Sequence, residues 1–300
     1  MHSDLSTVSL ATLGVLRARG PDVLSFLQGQ LSNDLARLAP QRSLLAGFHN
    51  PQGRVIALLR LLQHSPDDLL AVLPAELVTP VIARLSRFIL RAKVKLTDES
   101  QQWHVHGLLG AEDAALPAAA NQAARIGEAI IVRLACGQPR WLLLSARPEA
   151  PLPAILPGAD PLAWQRLAVA AGEPQVYGAT SEEFIAQMLN LDCLDAIAFD
   201  KGCYTGQEII ARAHYRGRVK RRMQRFVTAA VRTLERADVG TLSDGRTFKV
   251  VEVAPRADGR CEFLAVTQLT DREPAEARAS GADAAALEAE QLALPYPLPE

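Results

Sequence analysis

Lys201-Gly202-Cys203-Tyr204-Thr205-Gly206-Gln207-Glu208 is the stretch on which the reading of this chain turns. Two glycines bracket a cysteine and an aromatic residue just ahead of a segment, 209–214, with helical character. Glycine at such spacing lets the backbone adopt positive φ or approach a ligand closely. A helix that begins near Gln207 turns its free N–H groups and the positive end of its dipole back toward the loop. That environment favours a thiolate at Cys203, with Lys201 assisting and Glu208 opposing in part. Two readings of Cys203 stand side by side: a small buried hydrophobe in a glycine turn, or a reactive or ligating thiol. Nucleophilic hydrolysis is poorly served, because His214 lies eleven positions on within a basic segment and no acid accompanies it.

Working outward, the pattern after Met223 changes to short strands at 224–230, 247–253 and 261–268, the last two joined by a loop at 255–259. These predict a small antiparallel β-barrel over 223–300, ending in an Ala/Glu-rich tail with helical character at 271–290. Upstream, residues 10–19 read as a strand and Pro21 opens an amphipathic helix. Residues 44–49 and 54–63 read as a hairpin around Asn50-Pro51-Gln52-Gly53, and 69–73 as a further strand. Thr79 and Pro80 read as N-cap and first residue of a helix. Strands follow at 94–96, 103–109, 130–134 and 141–144. This alternation predicts an α+β arrangement of mixed antiparallel sheets with helices over residues 1–222, as two interleaved subdomains. Five prolines make 147–161 an extended connector. Helices are expected again at 162–171 and, capped by Ser181, at 181–189.

With 300 residues, 49% hydrophobic, 22% charged and a net charge of −1, the chain has ample material for a core. Those values exclude a globally basic nucleic-acid binder and an acidic solvating protein. The four cysteines, 136, 193, 203 and 261, form no C-x-x-C pair, which speaks against a sequence-local metal site and against a disulfide framework. The first twenty residues lack a basic segment followed by a continuous apolar run, and nothing reaches membrane-spanning length. A soluble cytoplasmic protein with reduced thiols is expected.

Taken whole, the 201–208 stretch, followed by Ile209-Ile210-Ala211-Arg212, Tyr215-Arg216-Gly217 and Lys220-Arg221, closely resembles the signature of the YgfZ family. Those proteins are paralogues of the glycine-cleavage T-protein, a folate-dependent aminomethyltransferase. Residues 26–34, FLQGQLSND, resemble the family's N-terminal motif, and 53–55, 90–94 and 188–192 fall in family order. The resemblance spans about residues 8 to 270. It implies a T-protein-like multidomain ring around a central channel that binds tetrahydrofolate or a one-carbon derivative, polyglutamylated or not. It further implies support for iron–sulfur cluster assembly or repair, and through it for a tRNA-modifying enzyme, with Cys203 important to that role. Departures from the T-protein matter. Residues 53–58 hold no carboxylate where that enzyme carries one; Ala168 stands where its folate-contacting arginine would be; and Tyr177-Gly178-Ala179-Thr180 ends in Thr instead of Asp. Aminomethyl transfer is therefore expected to be absent.

On this resemblance Trp164 is a folate-contacting candidate, against the alternative of a core tryptophan on a helix face. Tyr177 and Asn190 are further candidates, and Gln28 and Gln30 could line a channel or simply sit on a helix surface. Lys201 is grouped with Cys203 as chemically active. From Arg212 to Arg225 run seven cations (212, 216, 218, 220, 221, 222, 225) and no acid. They form a solvated face, an anchor for the folate's γ-glutamyl tail, or a docking surface for an acidic protein or RNA. Three hypotheses follow: a folate-binding accessory factor that meets iron–sulfur proteins or their assembly factors, a folate-dependent one-carbon transferase with another acceptor, and a tRNA-binding module.

Overall fold

The computed structural model describes residues 5–147, 156–217, 219–269 and 286–299. Within them lie three five-stranded sheets, antiparallel throughout. The first takes the order β3 (Leu44–His49), β4 (Val55–Ser65), β5 (Asp68–Pro74), β2 (Leu13–Arg19), β6 (Lys95–Asp98). The second runs β1 (Ser6–Ser9), β7 (His104–Leu109), β10 (Arg140–Ser145), β9 (Ala129–Arg133), β8 (Ala123–Ile126). The third runs β12 (Val239–Thr241), β13 (Thr247–Pro255), β14 (Cys261–Gln268), β11 (Arg221–Thr228), β15 (Ala289–Leu292). Four helices, α1 (Val23–Gln28), α2 (Ala75–Ser86), α3 (Pro161–Ala170) and α4 (Gln207–Tyr215), cover or join them.

The first sheet is buried on both faces, which is why Val55 to Leu62 reads as an unbroken apolar run with Arg60 the sole interruption. Side chains alternate between two cores, as the period of a strand requires. Leu16, Leu61, Leu69 and Ala71 face the large core shared with α1, α2 and the 184–197 segment. Val15, Leu62, Leu70 and Val72 face the second sheet, meeting Val105, Ile130, Val132, Leu142 and Leu144. The α3 helix, N-capped by Asp160, packs between β1 and the third sheet.

Several expectations shift. The second helix begins at Ala75, so Pro80 lies inside it and costs one backbone bond there. Residues 181–189 do not form a helix: they hold a short 3₁₀ turn, Ala186–Leu189, and Ser181 is extended, with its hydroxyl donating to the Ile56 carbonyl at 2.8 Å. No closed barrel is found among the described C-terminal residues; the two edges of the third sheet meet only just beyond β12 and just before β15, at an isolated parallel bridge between Leu242 and Leu287. Of the proline-rich connector, 148–155 lie outside the described residues; its end is extended, with Gly158 bridged to Thr7 at the sheet edge. The tail at 270–285 also lies outside them. No helix among the described residues is long and apolar enough to cross a membrane.

Candidate functional site

The 50–53 turn and the 201–208 loop meet. Gly53 and Gly206 both take positive φ, +70° and +82°. A methyl at Gly206 would lie 2.5 Å from the Asn50 carbonyl oxygen and 3.0 Å from the Gly53 Cα, so only glycine permits this contact. Gly202 is different: its φ is ordinary and nothing lies within 4 Å of where a methyl would stand, so no positive φ calls for glycine there. The α4 helix starts at Gln207, as the sequence predicts.

Cys203 is solvent-exposed, which excludes the buried-hydrophobe reading. Cys193 is pushed up to about 12 by burial and the neighbouring Asp192, and burial likewise raises Cys136 and Cys261. The Lys201 ammonium donates to the carbonyls of Gln28, Leu31 and Asn33 at 2.7, 2.6 and 2.9 Å, and stands 5.1 Å from the centre of the Tyr204 ring. Those bonds use all three of its N–H donors, so Lys201 is a clamp that ties the motif to the 28–33 loop. Burial lowers its pKa to about 8.

A second region gathers residues from all three sheets. A cavity of about 430 Å³ is lined by Leu10, Leu13 of β2, Arg60 of β4, Arg140 of β10, Trp164 of α3, Glu173 and Tyr177 from the following loop, and Arg236 and Glu252 from the third-sheet region. Gly107 makes room for Trp164: a methyl there would fall 2.4 Å from the indole ring. Glu173 accepts from Arg60 at 3.2 Å and from Arg140, whose guanidinium lies 5.3 Å from the Trp164 ring centre. Arg236 stacks 3.7 Å from the Tyr177 ring centre and donates to Glu252 at 2.8 Å. Burial, with Glu252 nearby, raises the Tyr177 phenol.

Trp164 and Tyr177 are thus brought together, whereas the other candidates are placed elsewhere. Asn190 is fully buried in a left-handed conformation and donates to the Met223 carbonyl at 2.8 Å, fastening β11. The Gln28 amide is spent on Asp34 (2.8 Å) and on the Leu35 N–H (2.7 Å), capping a turn. Gln30 lies outside the cavity, and its carbonyl oxygen is sheltered without a partner. The cationic run divides: Arg222 and Arg225 are paired with Asp192 and Glu262, while Arg212, Arg216 and Lys220 are exposed. Arg60, Arg140, Glu173, Arg236 and Glu252 escaped sequence reasoning. Their signal was a charge inside an apolar strand, as at Arg60 and Glu252.

No protein-family model matches the chain. Among curated proteins, the tRNA-modifying protein YgfZ of Serratia proteamaculans is 29% identical over 274 residues, covering 86% of this chain and 83% of that protein. Its counterpart from Edwardsiella ictaluri is 33% identical over 233 residues, covering 73% and 70%. Among solved structures, glycine cleavage system aminomethyltransferase T from Bartonella henselae shares the fold with a TM-score of 0.63 at 12% identity, covering 89% of this chain and 79% of that one.

Proposed function

This chain belongs to the YgfZ family, and from that premise we propose that the cavity beneath Trp164 binds tetrahydrofolate or a one-carbon derivative and that the protein serves tRNA modification as a folate-binding accessory factor. The observation carrying this reading is the convergence of Trp164, Tyr177 and two carboxylate–guanidinium groups on one cavity of about 430 Å³. A pterin is planar and needs an aromatic platform with a few polar groups at its edge. Trp164 and Tyr177 offer the platform, and Glu173 or Glu252 can accept from the N–H groups of an aminopyrimidine edge. Two guanidiniums, Arg60 and Arg140, face the single carboxylate of Glu173, so the cluster keeps a positive surplus suited to the carboxylates of a glutamate tail. Ala168, where the T-protein pattern would have its folate-contacting arginine, lines the same cavity, and Arg140 brings a guanidinium to it from another element.

In this reading the accessory role is support of iron–sulfur cluster assembly or repair for tRNA-modifying enzymes, with the exposed thiol of Cys203 offered to a partner. Aminomethyl transfer is not expected, because Ala57, at the position of the T-protein acid, carries no carboxylate and residues 53–58 supply none in its place. Calorimetric titration with tetrahydrofolate tests the site. Saturable binding that weakens about tenfold or more in Trp164→Ala is expected; unchanged affinity in that variant would sink the assignment.

A further inference from the structure

The fold sorts the charges of the cationic run that follows the motif loop. No Asp or Glu stands between Glu208 and Glu235. Arg222 and Arg225 turn to Asp192 and Glu262, whereas Arg212, Arg216, Lys220 and Arg221 are exposed and make no ion pair among the described residues. Arg221 donates to the Thr247 hydroxyl at 2.8 Å and keeps its charge uncompensated. Arg212, Tyr215 and Arg216 follow at i, i+3 and i+4, so they share one face at the end of α4. Tyr215 is 67% exposed, and from Arg212 to Arg221 it is the one exposed large apolar side chain among the described residues. Its ring is braced edge-on: its centre lies 4.7 Å from that of His214 at 80° and 6.2 Å from that of Phe199 at 72°. His214 in turn stacks on Phe199 at 3.7 Å. The stack flanks a cavity of about 440 Å³, but the guanidinium there, Arg222, is held by both oxygens of Asp192 at 2.9 and 2.8 Å. The free positive charge therefore lies on the outer surface.

Resting on the tRNA-modification reading above for the choice of nucleic acid, we propose that the end of α4 and the segment after it bind single-stranded RNA, a base stacking on Tyr215 and the adjoining phosphates held by Arg212, Arg216 and Lys220. A single strand presents flat base faces and a charged backbone, and sites for it combine aromatic rings with a cationic track. Here the ring and the track coincide. Four exposed cations stand against two nearby acids, Glu208 one turn before Arg212 and Asp200 beside Phe199, in a chain whose net charge is −1. The positive field is thus local to this face. An acidic protein would match the charge, but a protein interface is anchored by a cluster of desolvated side chains at its centre. This surface offers one open ring among cations instead. A guanidinium fork also fits a phosphate bidentately. Bracing by His214 and Phe199 orders the Tyr215 ring before binding, so less side-chain freedom is lost. The surface shares no residue with the folate cavity.

The test is fluorescence anisotropy of the full chain with a labelled single-stranded RNA 12-mer of mixed sequence, with unlabelled RNA and a peptide of twelve glutamates as competitors. Tyr215→Ala should weaken binding about tenfold, and Tyr215→Phe should leave it within about twofold, since stacking needs the ring and not the hydroxyl. Arg212→Ala and Arg216→Ala should each lower the slope of log affinity against log salt by about 0.7. Tetrahydrofolate affinity should be unchanged in all four variants, which separates this surface from the folate assignment. All three positions are exposed, so the variants keep the fold. No binding by the parent, equal affinity in Tyr215→Ala, or unchanged salt slopes would overturn the proposal. Competition by the glutamate peptide as strong as by unlabelled RNA would overturn it in favour of an acidic protein. In cells, protein-dependent tRNA modification that survives Tyr215→Ala combined with Arg216→Ala would overturn this proposal alone. Modification that persists without the protein would sink the reading on which it rests.

Discussion

The guanidinium of Arg140 lies 5.3 Å from the centre of the Trp164 ring while its Nη2 donates to Glu173. Arg140 is 2% exposed, so this cation is held almost entirely by one carboxylate and one aromatic face. The same carboxylate accepts from Arg60, and one acid thereby fixes a strand of the first sheet and a strand of the second against the loop that follows α3.

Glu173→Gln should therefore be costly well beyond a surface change. It would leave two buried guanidiniums without a counter-charge, and breaking a buried pair in this way costs about 3–5 kcal/mol. Urea unfolding should show a loss of about that size. A change below about 1 kcal/mol would mean that water already solvates the cluster.

Gly206→Ala and Gly202→Ala should separate sharply although both lie in one motif. Gly206 has φ +82° and no room for a methyl, so its replacement should cost about 2 kcal/mol or more. Gly202 has ordinary φ and nothing within 4 Å, so its replacement should stay within about 0.5 kcal/mol. Thermal melts of the two variants, compared with the parent, decide the matter; similar losses in both would contradict the contact between the loop and the 50–53 turn.

Much of the sheet architecture is legible in the sequence because its signals are local. The hairpin around Asn50 to Gly53 and the strands at 247–268 announce themselves by turn residues and apolar runs. The strands β1, β8, β12 and β15 span only 4, 4, 3 and 4 residues, too short for periodicity to show. At the site, Trp164 and Tyr177 stand out as aromatics near predicted breaks. The ion cluster does not, because Arg60 and Glu173 are 113 positions apart and only the fold joins them. The Lys201 clamp is hidden for the same reason: its three carbonyl partners lie about 170 positions away.

His49 should make the protein acid-sensitive in a defined window. Burial depresses its folded value to about 3, while the unfolded chain titrates near ~6.5. Between those values the unfolded state binds a proton that the native ring refuses, so stability falls as pH drops through about 6.5 toward about 3. The loss is about 1.4 kcal/mol per pH unit, or about 2 kcal/mol between pH 7 and 5. Urea melts at both pH values should show the parent losing about that much more than His49→Phe. Equal losses would show that the ring is protonated in the fold.

Cys203 is exposed while Cys136, Cys193 and Cys261 are shielded with raised pKa values, so native thiol labelling should be confined to it. Thiolate supply governs reaction with a disulfide reagent, and burial withholds both the thiolate and the approach. Native protein should react rapidly at a single thiol, with the remaining three at least about tenfold slower until denaturant is added. In Cys203→Ser the fast phase should vanish, stability should stay within about 0.5 kcal/mol, and tetrahydrofolate affinity should be unchanged. Because nothing structural rests on the sulfur, a loss of tRNA modification in cells carrying this variant would then report on the thiol's chemistry. If modification persists at the parental level, Cys203 has no part in the accessory role, and the motif is retained for the Gly206 turn and the Lys201 clamp alone.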